Sequence, residues 1–264
     1  MQQEARVKEA IELVADMIVA SQCMVVFTGA GISTESGIPD FRGPDGIWTK
    51  VDPSQFTFQR YLNDAEMRRQ IWETFLVGGR WPQAEPNAAH IAIAELERLG
   101  KLDCLITQNV DSLHLAAGNS EDLILELHGA SRYVKCIDCG KRFSREQALP
   151  IVEKDKVNPK CDACGGLLKS GTVAFGEPMP ARETREAERR ARSCDLFLVI
   201  GSSLVVYPAA FMPVYALQAG ARVVVINLEP TPVDDRAHAV IHGKAGELMP
   251  LIMERVRDKM EGDQ

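Results

Sequence analysis

The chain has 264 residues, 45% of them apolar, which suffices for one large domain or for one domain with a smaller insert. A net charge of −7 gives no general attraction to nucleic acid, and no apolar run is long enough to span a membrane. The polar start lacks a signal peptide, so we expect a cytoplasmic protein that binds neither nucleic acid nor membrane. Seven cysteines, four of them in two close pairs, indicate a metal site and not a disulfide framework.

The first part of the chain has the features of a nucleotide-binding loop. A helix is predicted over residues 4–20, and the apolar run at 24–27 after it is typical of a buried parallel strand. This strand ends at Gly29, Ala30 and Gly31, a Gly-x-Gly whose two glycines let a phosphate approach the backbone closely. Thr34 replaces the third glycine of the dinucleotide fingerprint, so the Gly-x-Gly alone does not settle the ligand. Asp40, Phe41 and Arg42 follow a proline, where a loop can fold over a ligand.

Residues 43–81 differ in character from the segments around them. They begin with the turn residues 43–46 and gather seven of the 16 aromatic side chains of the chain, namely Trp48, Phe56, Phe58, Tyr61, Trp72, Phe75 and Trp81. We predict a small helical insert with its own apolar face. Its position directly after the nucleotide loop suits it to form one wall of a substrate cleft.

Four more short apolar runs follow, and helical patterns such as 88–99 separate several of them. The runs lie at 102–107, 123–127, 196–200 and 223–226, and the residues after them are Gln108, Asn109 and Asp111, then His128 and Gly129, then Gly201, Ser202 and Ser203, then Asn227 and Glu229. This alternation predicts an α/β fold with a parallel sheet, in which ligands bind beyond the carboxyl ends of the strands. The alternative, that strand ends are polar merely because loops are polar, predicts a more varied set of residues than these amides, glycines and serines.

Four cysteines lie between the third and fourth runs. Cys136, Cys139, Cys161 and Cys164 form two Cys-x-x-Cys pairs with 21 residues between them, which is the spacing of a four-cysteine zinc ribbon. No histidine lies among them, so the spacing predicts a closed, structural Zn²⁺ site. A redox role for either pair and nucleic-acid binding by the ribbon remain alternatives.

His128 is the candidate catalytic base. It directly follows an apolar run at the proposed crevice, and a histidine titrates near neutral pH, as abstraction of a hydroxyl proton requires. We expect the other four histidines to be structural. Ser202 and Ser203 suit a phosphate, whereas Asn227 and Glu229 suit a ribose diol; no Gly-x-Ser-x-Gly motif supports a nucleophilic serine.

Together these motifs resemble the sirtuins, the NAD-dependent protein lysine deacylases, in their compact prokaryotic form. The resemblance covers nearly the whole chain and rests on residues 29–33, 37–42, 107–111, 127–129, 175–177, 201–203 and 227–229 and on the four cysteines. It implies a Rossmann-like NAD-binding domain with helices on both faces of the sheet, formed by residues 1–42, 82–133 and 168–264. The helical insert, 43–81, and the zinc ribbon, 134–167, would together form a small domain.

The resemblance also implies roles for individual residues. Ala30, Gly31 and Ser202 would hold the pyrophosphate of NAD, Asn227 and Glu229 the adenosine end, and Asp40, Asn109 and Asp111 the nicotinamide end. Phe41 would shield the reactive sugar carbon. His128 would be the base, with Asn109 as a second catalytic residue. The remaining residues assigned to NAD are Gly29, Arg42, Gln108, Gly201, Ser203 and Ala245, and those assigned to the acyl-lysine peptide are Val173, Phe175, Gly176, Glu177 and Val205.

The implied reaction transfers the acyl group of an acyl-lysine protein or peptide to ADP-ribose, with release of nicotinamide. Sirtuins that prefer succinyl or malonyl groups carry a Tyr-x-x-Arg pair in the helical insert, and residues 72–80 contain no tyrosine. We therefore expect a neutral acyl group, acetyl or longer, and a monomeric enzyme. The alternatives left open are a mono-ADP-ribosyltransferase and a non-catalytic sensor of NAD or ADP-ribose.

Overall fold

The structure, a computed structural model, describes residues 2–43, 46–79, 81 and 83–262. A six-stranded sheet, all of whose pairings are parallel, forms its centre, with strand order β3-β2-β1-β7-β8-β9. In the described chain the strands are β1 (Met24–Thr28), β2 (Leu102–Thr107), β3 (Ile124–Glu126), β4 (Tyr133–Cys136), β5 (Arg142–Ser144), β6 (Leu168–Ser170), β7 (Leu196–Ile200), β8 (Arg222–Asn227) and β9 (Ala239–His242). The five apolar runs correspond to β1, β2, β3, β7 and β8, so the predicted parallel sheet is confirmed. The edge strand β9 was not predicted.

Helices connect the strands. Among the described residues the α-helices are α1 (Gln2–Ala20), α2 (Phe58–Asn63), α3 (Ala65–Leu76), α4 (Ala88–Arg98), α5 (Leu113–Ala116), α6 (Arg145–Lys154), α7 (Ala181–Ser193), α8 (Met212–Gln218) and α9 (Ala245–Gly262). The helices predicted at 4–20 and 88–99 are α1 and α4. In this part of the chain no helix is both long and apolar enough to cross a membrane.

Both faces of the parallel sheet are covered, which explains why its strands are apolar along their whole length. On one face, α1, α4 and α9 pack against side chains such as Met24, Val26 and Leu198. On the other face, α7 and α8 pack against Val25, Phe27 and others. The sheet is therefore the middle of three layers, with its carboxyl edge left open for a ligand.

A smaller antiparallel sheet has the order β5-β4-β6 and carries the four cysteines in and around it. Its apolar cluster includes Val134, Phe143 and Leu168, and it also contains Trp72, which comes from α3 of the insert and is fully buried. The ribbon segment and the insert thus share one hydrophobic cluster although more than 50 residues separate Trp72 from β4.

Arg68 joins the same two segments by hydrogen bonds. Its buried guanidinium donates to the carbonyl oxygens of Tyr61 and Leu62 in the insert, each at 2.8 Å. It also donates to the carbonyl oxygen of Val157 at 3.0 Å and to Oδ1 of Asn158 at 2.9 Å, beyond the end of α6. A buried cation whose donors are satisfied in this way holds the insert in one orientation against the ribbon.

We predict that Arg68→Met lowers the free energy of unfolding by about 2–3 kcal/mol, because the four acceptors would lose a charged donor in a buried place. The measurement is urea unfolding followed by circular dichroism. Arg69→Met is the matched control, since Arg69 is exposed and forms its ion pair with Glu66 on the same helix. That control should change stability by less than about 0.5 kcal/mol. Equal effects of the two substitutions would contradict the assigned role of Arg68.

Candidate active site

One large cleft of about 1990 Å³ lies at the carboxyl edge of the parallel sheet, between the sheet and the insert. A pocket for one small molecule typically holds about 300–1,000 Å³, so this cleft has room for a dinucleotide and part of a peptide. Apart from the four cysteines, all but one of the site residues predicted from the sequence line it. The exception is Val205, which is exposed, whereas the following residues Val206 and Tyr207 do line the cleft.

Two loops touch backbone to backbone at the centre of the cleft floor. The N–H of Gly31 donates to the carbonyl of Gly201 at 2.8 Å. A Cβ atom on Gly29 or Gly31 would lie 2.8 Å from that carbonyl oxygen, and one on Gly201, which has a φ of +63°, would lie 2.2 Å from the nitrogen of Ile32. The glycines therefore serve to pack the loop after β1 onto the turn after β7, in addition to any ligand contact.

Asn109 and Asp111, which follow β2, are held by Ser33 from the loop after β1. The hydroxyl of Ser33 donates to Oδ2 of Asp111 at 2.8 Å and accepts from Nδ2 of Asn109 at 3.2 Å. Nδ2 of Asn109 also donates to the carbonyl of Gly29 at 3.1 Å. Both side chains are thus fixed in the cleft wall before a ligand arrives, which lowers the entropy cost of binding.

His128 lies in the cleft with its tautomer fixed by one hydrogen bond. Nδ1 lies 2.9 Å from the carbonyl oxygen of Gln108, and because a carbonyl only accepts, Nδ1 carries the proton. Nε2 has no hydrogen-bond partner among the described residues and is the basic nitrogen. Burial lowers the pKa of His128 below the usual 6.5, against the opposing effect of the Gln108 carbonyl. The side chain of Gln108 donates in turn to Oγ of Ser202 at 2.8 Å.

The other histidines make structural hydrogen bonds, in agreement with the sequence interpretation. His114 contacts the hydroxyl of Thr28 at 3.0 Å, and His90 accepts from the N–H of Asn87 at 3.3 Å at the start of α4. Burial lowers the pKa of His90 to about 4 and that of His114 to about 3, so both are neutral at pH 7. His238 accepts from the N–H of Val223 at 3.1 Å.

At the far end of the cleft, β8 ends in Asn227, whose side-chain nitrogen donates to the carbonyl of Glu229 at 2.7 Å. The carboxylate of Glu229 is exposed. Ala245 begins α9 beside these residues, and the next N–H, of Gly246, donates to Oε2 of Glu35 at 2.7 Å. The predicted adenosine residues therefore lie together at one end of the cleft.

The predicted peptide residues 173–177 form a turn and not a strand. Phe175 donates its N–H to the carbonyl of Phe56 at 3.1 Å and accepts from the N–H of Phe58 at 2.8 Å, so this turn is attached to the insert. The side chain of Phe175 is exposed at the cleft.

The carboxylate of Glu177 forms ion pairs with two lysines, so it is not free to bind a ligand in the cleft. Its Oε1 accepts from Lys135 at 2.7 Å, while Oε2 lies 3.1 Å from Nζ of Lys169 and accepts from the N–H of Ala174 at 3.0 Å. Lys169 is buried and also donates to the carbonyls of Ser170 and Thr172. Burial alone would raise the pKa of Glu177, but these donors outweigh it and keep the pKa below its usual 4.5. The carboxylate thus shapes the turn that carries Phe175 and Gly176.

The four cysteines fit a zinc ion. Their Sγ atoms all lie within 4.8 Å of one another, with Cys136 to Cys164 at 3.5 Å and Cys139 to Cys161 at 3.8 Å. Tetrahedral Zn²⁺ with Zn–S bonds of about 2.3 Å separates its sulfur ligands by about 3.8 Å. The set has the composition of a structural site, so Zn²⁺ bound here would stabilise the ribbon and leave the chemistry to the cleft.

Sequence reasoning missed two features of this site. Ser33 lies inside the recognised loop, but nothing in its sequence context shows that it holds Asn109 and Asp111. Lys169 follows an apolar pair just after the ribbon segment and is an ordinary exposed lysine on sequence grounds. Ser33 acts through contacts with residues more than 70 positions away, and Lys169 through a turn that brings Glu177 back to it, so no local pattern reveals either role.

Comparison with known proteins agrees with this geometry. Residues 29–208 match the Sir2 family. The chain belongs to the Sir2 family. It is 44% identical over 255 residues to "NAD-dependent protein deacylase 2" of Archaeoglobus fulgidus, covering 95% of this chain and 97% of that one. It is 43% identical over 251 residues to "NAD-dependent protein deacetylase 1" of Pyrobaculum aerophilum, covering 94% and 96%.

A solved Sir2 structure shares the fold closely. This Sir2 complex with a deacetylated p53 peptide and 3′-O-acetyl ADP-ribose superposes with a TM-score of 0.81 at 37% identity, covering 92% of this chain and 97% of that one. The predicted sirtuin resemblance and the predicted fold class are therefore confirmed.

We predict that Lys169→Met raises the KM for an acyl-lysine peptide about five- to tenfold in this Sir2 protein, because the turn carrying Phe175 loses its buried counter-charge. The KM for NAD should change less than about twofold, since the polar contacts of Lys169 are to Ser170, Thr172 and Glu177 and not to the residues at the adenosine end. Lys141→Met is the control: Lys141 forms an exposed ion pair with Asp162 in the ribbon. Steady-state kinetics checks this, and an NAD KM that rises as much as the peptide KM would contradict it.

Proposed function

We propose that this protein is an NAD-dependent protein lysine deacylase that transfers an acyl group from lysine to ADP-ribose and releases nicotinamide. Its membership of the Sir2 family and its relatives confirm this reaction class and the use of NAD. The observation in the site that supports it most is His128, whose protonated Nδ1 is held by the Gln108 carbonyl and whose basic Nε2 is free in the cleft. A base fixed in this tautomer suits removal of a proton from a ribose hydroxyl.

NAD supplies the sugar carbon that receives the acyl oxygen and the hydroxyl that receives the acyl group. We assign the pyrophosphate to Gly29, Ala30 and Gly31 with Gly201, Ser202 and Ser203, because these two loops meet at the cleft floor. We assign the adenosine to the end formed by Asn227, Glu229 and Ala245.

The nicotinamide end is assigned to the side chains that Ser33 holds in place. Asn109 has its Oδ1 left for a ligand there. Both oxygens of Asp111 already accept hydrogen bonds, Oδ2 from Ser33 and Oδ1 from the N–H of Leu113 at 3.0 Å, so Asp111 acts through its charge and through Ser33. Gln108 supports the floor through Ser202. Asp40, Phe41 and Arg42 lie on the loop over this part of the cleft, and the ring of Phe41 rests on Trp48 at 5.1 Å between centroids. In this arrangement Phe41 excludes water from the sugar carbon while Nε2 of His128 takes the hydroxyl proton.

The acyl-lysine peptide is assigned to the gap between the 173–177 turn and the loop after β7. Val173, Phe175 and Gly176 lie on one side. On the other side we assign Val205 to the peptide, because its backbone N–H and C=O have no partner in the described chain. Unpaired backbone groups of this kind can pair with an extended peptide.

The cleft favours a neutral acyl group. Phe75 lines it at the insert, and the neighbouring Arg145 is committed to the carbonyl oxygens of Phe75 and Leu76 at 2.6 and 3.1 Å. An arginine used in this way is poorly placed to pair with the carboxylate of a succinyl group. Arg80, the arginine of the stretch that lacks a tyrosine, lies outside the described residues.

The insert and the ribbon are proposed to act as one small domain, with boundaries near 43–81 and 134–167. Their shared cluster around Trp72 and the four hydrogen bonds of Arg68 support this division. The remainder of the chain then forms the NAD-binding domain. We further propose a monomeric cytoplasmic enzyme that acts on proteins and not on nucleic acid; the net charge of −7 and the seven cysteines without a disulfide support this.

The test is mass spectrometry of the products formed from NAD and an acetyl-lysine peptide. We expect one O-acetyl-ADP-ribose and one nicotinamide for each peptide deacetylated. His128→Ala should slow this about 10²- to 10⁴-fold, because a general base contributes that much. His238→Ala is the matched control, since His238 is exposed at the opposite edge of the sheet. NAD consumption without peptide deacetylation would point to ADP-ribosyl transfer instead.

A second prediction concerns the acyl group. An acetyl-lysine peptide should turn over at least about tenfold faster in kcat/KM than the matched succinyl-lysine peptide, because Arg145, the cation beside Phe75, is already committed to two carbonyl oxygens. Faster turnover of the succinyl peptide would contradict the neutral acyl assignment.

A third prediction concerns pH. The base must be neutral, so activity is present above the pKa of His128 and is lost as the pH falls through it. Since burial places that pKa below 6.5, the acidic limb of kcat/KM should have its midpoint below pH 6.5. A midpoint clearly above pH 6.5 in the profile would exclude this histidine as the titrating group.

A further inference from the structure

Three aromatic side chains form a line on the surface beside the cleft. Tyr207, Phe211 and Tyr215 are spaced four residues apart, and their ring centroids are separated by 4.7 Å and then 6.0 Å. Tyr207 is 60% exposed and Phe211 is 41% exposed. We call these three residues the aromatic shelf.

The shelf continues the cleft without a break. Tyr207 lines the cleft, together with Val206 before it and Pro208 after it. Phe211 and Tyr215 lie further along the same line, on α8 and the turn before it. A peptide that leaves the acyl-lysine position along the loop after β7 therefore passes over Tyr207 first.

The far end of the shelf is closed by a cation. The guanidinium of Arg192, on α7, lies 4.2 Å from the centroid of the Tyr215 ring, and its charge is paired with Glu188 at 2.9 Å. The contact fixes the Tyr215 ring in place. The shelf itself, between Tyr207 and Tyr215, carries no ionisable side chain apart from the two phenols.

Rigid, exposed aromatic rings are the side chains that dominate binding at protein interfaces, because they offer a large apolar area at low entropy cost. The shelf extends at most about 11 Å, which equals about three residues of extended chain at about 3.3 Å each. It thus matches a short peptide segment better than a whole folded partner, whose interface would need about 800 Å² on each side.

We infer that the aromatic shelf is an outer substrate site, which binds an aromatic or aliphatic side chain of the acylated protein a few residues away from the acyl-lysine, on one side of it. This inference rests on the proposed deacylase function. It makes Phe211 a specificity-determining residue: substrates with an apolar residue at that distance are preferred over polar ones.

The experiment uses the full-length protein and a set of acetyl-lysine peptides. Each peptide has five serines on either side of the acetyl-lysine, and a single phenylalanine replaces one serine at each position in turn. For the wild-type protein we expect kcat/KM to rise about tenfold for phenylalanine at one position or two adjacent positions on one side only. In Phe211→Ser the best phenylalanine peptide should fall to the level of the all-serine peptide, and Phe211→Leu should keep part of the gain.

Leu13→Ser is the matched control. Leu13 is 44% exposed on α1, on the other face of the sheet, so this substitution also removes an exposed apolar side chain. It should retain the full preference. A flat phenylalanine scan, or a preference that survives in Phe211→Ser, would overturn the inference. A third result would also overturn it. If the scan stays flat and light scattering shows a wild-type dimer that becomes monomeric in Phe211→Ser, the shelf binds a second copy of the chain.

Failure of the proposed function would look different. In that case no peptide of the set, including the all-serine one, would be deacetylated by the wild-type protein. Isothermal titration calorimetry with the phenylalanine and all-serine peptides would then test the shelf alone: tighter binding of the phenylalanine peptide that is lost in Phe211→Ser supports it, and equal binding contradicts it.

Discussion

The contact between the Gly29–Gly31 loop and the Gly201 turn is the constraint on which the site depends. It lies between β1 and β7, the neighbouring strands at which the sheet reverses its order and a crevice opens in folds of this kind. Any side chain at these glycines would push the two loops apart, because the added Cβ would lie 2.8 Å or less from backbone or side-chain atoms of the other loop. Asn109, whose side-chain nitrogen donates to Ser33 and to the carbonyl of Gly29, would then lose these hydrogen bonds.

The second constraint is the zinc ribbon, which acts on the cleft indirectly. Four thiolates stabilise a segment that packs on Trp72, and Trp72 belongs to the insert that forms one wall of the cleft. The insert in turn hydrogen-bonds the backbone of Phe175 in the 173–177 turn. Zn²⁺ bound by the four cysteines would thereby support this wall of the cleft without taking part in the chemistry.

Much of this arrangement could be predicted from the sequence, for reasons that particular residues make clear. Buried parallel strands are continuous apolar runs, so β1, β2, β3, β7 and β8 were recognisable, and two Cys-x-x-Cys pairs allow few interpretations. The edge strand β9 has an apolar run of only three residues, 239–241, which is shorter than the runs of four to six residues that marked the other strands, so it gave a weaker signal.

Other features depend on contacts that sequence patterns do not encode. Glu177 was predicted to contact substrate, yet its carboxylate is held by Lys135 and Lys169, which come from two strands of the small sheet. Gly29 and Gly31 were interpreted as room for a phosphate, whereas they also make room for Gly201. Val205 was placed in the peptide site, and its neighbours Val206 and Tyr207 line the cleft. For Glu177 and the two glycines, a contact that only the fold reveals adds to or replaces the role inferred from the sequence.

We propose that His128 acts as the base after nicotinamide has left. The most direct measurement is exchange of isotopically labelled nicotinamide into NAD by His128→Ala, in the presence of an acetyl-lysine peptide and beside O-acetyl-ADP-ribose formation. If His128 has this role, exchange stays within about tenfold of wild type, while product formation falls more than about 100-fold. Equal loss of both with NAD still bound, or unchanged product formation, would contradict it.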